Sequence, residues 1–205
     1  MDTLEKHWNN LYLENNSAEL SWTQNKPVNS LQLIEHINLA KNACIIDVGG
    51  GDSLLVDYLL DMGYQNITVL DISAIAIEKA KKRLKEKAKL VNWVVSDILN
   101  YKPDRKFDLW HDRATFHFLT HPQKIELYKL IVKVSVTGYL IIGTFSDYGP
   151  KKCSGLAVKG YSEYELMAII QTEFIRLKCI KEDHVTPLKM KQNFIFCLFK
   201  RLIIQ

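Results

Sequence analysis

Three acids and a glycine triplet are the residues of this chain best placed to hold a ligand. Asp47 stands just before Gly49, Gly50 and Gly51 in "IIDVGGGDS" (45–53); Asp71 closes "NITVLD" (66–71), 20 residues after Gly51; Asp97 closes "LVNWVVSD" (90–97). Consecutive glycines let the backbone take positive φ and remove side chains that would strike a ligand. A turn that only turns needs one glycine or two. A carboxylate ending the second strand of an α/β sheet can accept hydrogen bonds from both hydroxyls of a ribose. One ending the third can accept from an adenine amino group, and the acid ahead of the glycines can meet a cationic group. The ligand implied has a sugar, a base and a positively charged end, but no phosphates. The GxGxxG fingerprint would need a glycine where Leu54 stands, and the GxxxxGK[ST] phosphate loop is absent. A nicotinamide dehydrogenase is therefore disfavoured.

A second cluster is "LWHDRATFHFLTHP" (109–122), with three histidines, an Asp-Arg pair and three aromatic residues. Asp112, Arg113 and His117 are the candidates for catalysis here. The competing reading makes Asp112 and Arg113 a structural ion pair and Phe116 and Phe118 core residues, and His111 is expected to be packed. His117 and His121 have no carboxylate or cysteine partner at a fixed spacing, so no metal site is expected. The loop "FSDYGPKKCSGLAVKGYS" (145–162) offers Tyr148, Cys153 and Tyr161 to line an acceptor pocket. Trp8, Tyr12 and Trp22 make the N-terminal stretch too aromatic for a loose tail; they are expected in a helical lid, residues 1–38, that excludes water from the site.

These residues need a scaffold, and the hydrophobic pattern supplies one. Short β-rich runs alternate with helical stretches. "ACIIDV" (43–48) is continuously apolar, as a strand covered on both faces should be. Strands follow at 66–71, 90–97, 107–112 and 138–145. Helices are predicted after Ser53, over 73–88 with Ser73 as cap, over about 123–134, and over 162–170 with Ser162 as cap. "FIRLKCIKEDHV" and "QNFIFCLFKRLII" have no helix between them and should pair as an antiparallel hairpin. The expected fold is a three-layer αβα Rossmann-like sheet of about seven strands, mostly parallel, with a C-terminal antiparallel hairpin, in a single domain whose core spans 39–205.

Composition narrows the function classes. The 205 residues are 47% hydrophobic and 24% charged, enough for one well-filled core. No apolar run is long enough to span a membrane, and the N-terminus has no basic region followed by an apolar one, so it does not read as a secretory signal. The net charge of +4 is modest, and the lysines of "EKAKKRLKEKAK" alternate with glutamates as on a solvated helix face. No nucleic-acid partner is expected. Four cysteines without CxxC spacing suggest reduced thiols in a cytoplasmic protein.

"DVGGGDS", "VLDIS" and "VVSDI" together resemble the class I S-adenosylmethionine-dependent methyltransferases, over nearly the whole chain. The resemblance implies S-adenosyl-L-methionine as methyl donor and S-adenosyl-L-homocysteine as product. It implies that Asp47, Gly49, Gly50 and Gly51 line the methionine end, that Asp71 holds the ribose with Ile72 packed on the adenine, that Asp97 and Ile98 flank the ring, and that Trp22 covers the cofactor. "WHDRATFHFL" with the Gly-Pro loop is similar to thiopurine and small-thiol methyltransferases, which implies a small nucleophile such as a thiol or an amine. The same stretch also resembles lysine methyltransferases acting on translation factors. A protein acceptor would show as an open acidic groove near His117, a metabolite as a closed aromatic pocket. The non-enzyme reading is a cofactor-binding module that has lost transfer.

Overall fold

The computed structural model describes residues 3–16 and 19–202. Parts of the expected lid (1, 2, 17, 18) and the end of the last expected strand (203–205) lie outside the described residues. Helices α1 (Thr3–Glu14) and α2 (Val28–Ile37) precede β1 (Cys44–Val48). Then come α3 (Leu55–Asp61), β2 (Asn66–Asp71), α4 (Ala74–Leu84), β3 (Val91–Val95) and β4 (Phe107–Arg113). The second half runs α5 (Pro122–Ser135), β5 (Val136–Phe145), a small ribbon of β6 (Lys152–Cys153) and β7 (Leu156–Ala157), α6 (Glu163–Ile170), β8 (Phe174–Val185) and β9 (Lys191–Arg201).

Seven strands form one sheet in the order β3-β2-β1-β4-β5-β9-β8. β1 to β5 are parallel to one another, and β9 alone runs against both of its neighbours, β5 and β8. This is the αβα arrangement the pattern predicts. The chain leaves β1 towards β2 and β3, then returns to lay β4 on the other side of β1. Reversal of strand order opens a crevice at the carboxyl ends of those two strands, where ligands of such sheets bind.

Alternation along the strands decides which residues can reach that crevice. Ile45, Leu109 and Ile141 face α2 and α3, packing with Leu33, Ile34, Leu55 and Leu59. Ile46, Trp110 and Ile142 face α5 and α6, packing with Tyr128 and Leu166. Both sets are fully buried, which is why β1 reads as an unbroken apolar run. Helix starts follow the predicted chemistry. Ser73 Oγ accepts from the Ala76 amide at 3.1 Å, and Ser162 and Glu165 form a reciprocal capping box.

Three expectations are corrected. The cysteines are not all free thiols: Cys179 and Cys197 are directly opposed on β8 and β9 and form a disulfide, leaving Cys44 and Cys153 reduced. The N-terminal 38 residues are not one lid, because α2 buries Leu31, Leu33 and Ile34 in the core and only α1 and the connector to α2 lie over the crevice. The loop after β5 is partly ordered by the β6/β7 ribbon. Among the described residues no helix is long and apolar enough to cross a membrane.

Candidate active site

The glycine loop is built for close approach. Gly49 and Gly51 take φ of +67° and +49°, a region that side chains with a Cβ avoid. A Cβ on Gly49 would sit 1.9 Å from Thr115 Oγ1, and one on Gly51 would sit 2.7 Å from the Tyr12 hydroxyl and 3.1 Å from Asp71 Oδ2. Gly50 is closed by Asp47 Oδ2, 2.7 Å from where its Cβ would lie. The amides of Gly49 and Gly50 both donate to the Leu70 carbonyl, at 2.7 and 3.2 Å, which ties the loop to the end of β2.

The three acids behave differently. Asp47 pairs in register with His111 on β4. His111 Nδ1 lies 2.7 Å from Asp47 Oδ1 and its Nε2 lies 2.9 Å from Ser30 Oγ of α2. His111 is packed, as expected, but it also borders the crevice, and Asp47 meets this imidazole as its first partner. Asp71 is buried, and its Oδ1 accepts from the Ser73 amide at 2.7 Å. Desolvation pushes its carboxyl up to about 7, against the pull of the Ser73 and Gly51 amides and with a further push from Asp47 and Asp52. Asp97 Oδ1 accepts from the Leu99 amide at 2.8 Å and so caps the short turn at Ile98–Asn100. That turn presents Ile98 to the crevice opposite Ile72.

Helix α1 is fastened over this arrangement. Asn9 Oδ1 accepts from Ser73 Oγ at 2.8 Å and from the Ile75 amide at 3.3 Å, so α1 docks on the start of α4. The Tyr12 hydroxyl is hydrogen-bonded to the Trp22 side chain and held by burial well above its usual range, with Asp71 adding to the effect. Trp8 packs edge-on to Trp22 and to Phe118, at 5.7 and 5.2 Å between centroids.

The β4 cluster separates by strand alternation. Asp112 faces the α5 side, where it accepts from the Tyr128 hydroxyl at 2.8 Å and from the Thr115 and Phe116 amides at 3.2 Å. It closes the turn after β4, does not border the crevice and forms no ion pair with Arg113, so both the catalytic reading of Asp112 and the ion-pair reading are corrected. Arg113 points to the other face. It lies over the Phe194 ring at 5.0 Å and donates through Nη1 to the Trp22 carbonyl at 2.5 Å. His117 is fully buried and stacked on Phe145, 4.1 Å between centroids and 13° between planes. Burial and the nearby Arg113 charge hold its imidazole down at about 3, so it is neutral and only weakly basic at pH 7. A general base at neutral pH is not what this environment makes of it.

Of the loop residues, Cys153 borders the crevice with its thiol pushed up by burial. Tyr148 is 80% exposed, and Tyr161 is buried against Phe116 on the α5 side, so neither lines the site. Sequence reasoning missed Asn9, Ser30 and Thr115, which carry no motif of their own. It also missed Phe145 and Phe194, cross-strand partners where β5 meets β9. The signal for Phe145 was present: it ends a parallel strand, and the ends of such strands floor the crevice.

These residues surround one cavity of about 590 Å³, reached by Asp47, Gly49, Gly50, Asp71, Ile72, Asp97 and Ile98 from one end and by Arg113, His117, Phe145, Cys153 and Phe194 from the other, beneath Trp8, Tyr12 and Trp22. The fit to a sulfonium nucleoside rests on two features of the chain: a loop stripped of Cβ atoms and a buried carboxylate within reach of it. Among the described residues no group of three histidines, cysteines or acids could hold a metal ion.

Comparison with known proteins agrees with this geometry. A family described as "Methyltransferase domain" matches residues 45–138. EEF1A lysine methyltransferase 2 of Danio rerio is 34% identical over 172 residues, 80% of this chain and 72% of that protein. Malonyl-[acyl-carrier protein] O-methyltransferase 1 of Ilyobacter polytropus is 31% identical over 106 residues, 50% of this chain and only 38% of that protein. The crystal structure of 1,6-didemethyltoxoflavin-N1-methyltransferase from Burkholderia thailandensis, with S-adenosylhomocysteine bound, superposes with a TM-score of 0.74 at 16% identity, covering 98% of this chain and 88% of that one. The chain belongs to the class I S-adenosylmethionine-dependent methyltransferases. The methyl donor of this family is S-adenosyl-L-methionine, and Gly49, Gly50, Asp71 and Asp97 border the crevice.

Proposed function

We propose that this chain transfers the methyl group of S-adenosyl-L-methionine to a small-molecule nucleophile, a thiol or an amine, held between Arg113, His117, Cys153 and Phe194. The observation that carries the reading is the aromatic lining of the acceptor end. His117 is buried against Phe118, Phe145 and Phe194, with Trp8 packed on Phe118, where a protein acceptor would call for an acidic groove.

The bound cofactor supplies an activated methyl group on a sulfonium whose departing thioether is neutral. The chain has little bond-breaking to assist, and its contribution is alignment and exclusion of water. The Asp71 carboxylate accepts from the ribose hydroxyls. Asp97 and the apolar side chains of Ile72 and Ile98 hold the base. Asp47, oriented by His111 and Ser30, places negative charge at the end of β1 where the cationic amino acid end belongs. Trp8, Tyr12 and Trp22 cover the nucleoside, and Asn9 holds that cover to Ser73. The acceptor then approaches from the β5 side, over Phe145.

A protein lysine is the second reading, favoured by the similarity to the Danio rerio enzyme. It is opposed by the aromatic lining of the acceptor end and by Arg113, whose positive charge borders the same space and disfavours a lysine ammonium as it does any amine that arrives protonated. Incubation of the protein with methyl-labelled cofactor and a panel of small thiols and amines beside cell-lysate proteins separates the two. Label in the low-molecular-weight fraction supports the proposal. Label only in a protein band overturns the acceptor, and no product with any acceptor while S-adenosyl-L-homocysteine still binds points to a module that has lost transfer.

A further inference from the structure

Arg113 holds an unused fork. Its Nη1 donates to the Trp22 carbonyl, but Nε and Nη2 are shielded from solvent and have no hydrogen-bond partner among the described residues. Those two nitrogens share one edge of the guanidinium, and their N–H vectors are parallel, a match for the two oxygens of a carboxylate. The same edge is filled elsewhere in this molecule. Arg83 Nε lies 3.2 Å from Asp57 Oδ1 and its Nη2 lies 2.8 Å from Asp57 Oδ2, a side-on pair. Arg113 has no such acid. Glu182, whose charge it feels most, forms no ion pair with it, and Glu182 Oε2 is itself without a hydrogen bond.

A shielded cation with two idle donors is costly to keep, because a charge-assisted hydrogen bond left unmade forfeits more than a neutral one. Burial lowers the Arg113 guanidinium to about 10, which still leaves it charged at neutral pH. The guanidinium is also held in place. It lies over the Phe194 ring and the Trp22 carbonyl fixes its far nitrogen, so it cannot turn freely. It sits on the cavity face of β4, at the acceptor end, with Cys153 and the Phe145–His117 stack bordering the same space.

We infer that the Nε/Nη2 edge of Arg113 receives a carboxylate or similar oxyanion carried by the methyl acceptor, so that this chain selects anionic aromatic-sized nucleophiles over their neutral counterparts. The inference rests on the small-molecule acceptor reading above and makes it narrower. The anion has two chemical sources, the acceptor and the amino acid end of the cofactor, and the experiment separates them.

The test is calorimetry on the full chain loaded with S-adenosyl-L-homocysteine, titrated with benzoate and with its neutral isostere benzamide, for wild type, Arg113→Gln, Arg113→Lys and Glu182→Gln. Wild type should prefer benzoate by roughly tenfold or more, the size of one charge-assisted bidentate contact. Arg113→Gln should abolish the preference, Arg113→Lys should keep part of it because charge survives without the fork, and Glu182→Gln should raise benzoate affinity by removing the competing acid. The homocysteine product and 5′-methylthioadenosine should respond alike to each substitution, including any loosening of the Trp22 cover in Arg113→Gln. Equal affinity for benzoate and benzamide in wild type overturns the inference. So does a loss in Arg113→Gln of affinity for S-adenosyl-L-homocysteine but not for 5′-methylthioadenosine, which lacks the amino acid end; the anion would then be the cofactor's. The lysine and Glu182 variants keep the test readable where Arg113→Gln fails to fold. Failure of wild type to bind the homocysteine product at all strikes the methyltransferase site rather than this assignment.

Discussion

Asp71 should make cofactor binding depend on pH in a range where methyltransferase assays are commonly run. Its carboxyl is pushed up to about 7 by burial before any ligand arrives. Ribose hydroxyls donate to the ionised form, so binding draws a proton off the site and affinity is complete above pH ~8 and falls as pH drops through ~7. A group with a pKa of about 7 is ~90% ionised at pH 8 and ~10% at pH 6, so the dissociation constant of S-adenosyl-L-homocysteine should rise about tenfold over that interval. The Asp71→Asn variant should lose this slope and bind about tenfold or more weakly at pH 8, where wild type has its charged acceptor. Its effect on stability runs the other way. The unfolded carboxyl titrates near 3.8, so the folded ligand-free protein holds the extra proton between ~4 and ~7. The favourable contribution is complete below ~4 and is lost as pH rises to ~7, at about 1.4 kcal/mol per unit, with a ceiling of about 4 kcal/mol.

Asparagine removes that burden at pH 8. It also weakens the bond from the Ser73 amide and turns a donor towards the Gly51 amide, which takes back part of the gain. A net stabilisation of about 2 kcal/mol corresponds to a Tm about 4–8 °C higher for a domain of this size. The assays are isothermal titration with S-adenosyl-L-homocysteine in buffers from pH 6 to 8, and scanning calorimetry of the ligand-free proteins at pH 8. The reasoning predicts weaker binding together with a higher melting temperature. Wild-type affinity that is flat across the range, or Asp71→Asn binding within threefold of wild type at pH 8, refutes the assignment of the ribose to this carboxylate.

Two further outcomes follow from local geometry. Gly49→Ala should destabilise by about 3 kcal/mol or more, since it combines a left-handed φ with a Cβ lying 1.9 Å from Thr115 Oγ1; adding Thr115→Ala should return the packing part and not the backbone part, and a melting temperature unchanged by Gly49→Ala would show that the loop does not have this form. The paired variant Cys179→Ser, Cys197→Ser should lose about 3 kcal/mol on the loop-entropy argument for a sequence separation of 18, read by urea denaturation under non-reducing conditions; identical midpoints for variant and oxidised wild type would mean that the bond does not form or adds nothing.

What was legible in the sequence was whatever depends on neighbours along the chain. The glycine loop, the acid ending β2 and the one just after β3, the serine caps and the seven-strand alternation all declare themselves through local spacing. The pairings that escaped are made between distant parts of the chain. Asp47 and His111 are 64 positions apart and meet only because β1 and β4 become neighbours in a register that places them side by side. Asn9 reaches Ser73 only once α1 has docked. Tyr148 and Tyr161 were misplaced because the path of a loop containing Gly149, Gly155 and Gly160 is set by what it packs on and not by its own pattern.

Two misses were within reach of the sequence. Carried one residue beyond its predicted end at Asp112, the fourth strand puts successive side chains on opposite faces, so Asp112 and Arg113 could not share the crevice. With Trp110 on the apolar face, Asp112 follows it there, and the cavity is left to His111 and Arg113. The hairpin held the other clue. In a hairpin whose turn is centred on Leu188, residues equally far from Leu188 are paired, and Cys179 and Cys197 each lie nine residues from it (188 − 179 and 197 − 188). Opposed cysteines in a predicted antiparallel pair therefore carry a stronger signal than the absence of CxxC. The lesson for the site is the same as for the disulfide. Strand alternation and hairpin register convert a list of reactive residue types into a statement of which ones can meet, and in this chain they single out Arg113, rather than the Asp-Arg pair, as the member that borders the crevice.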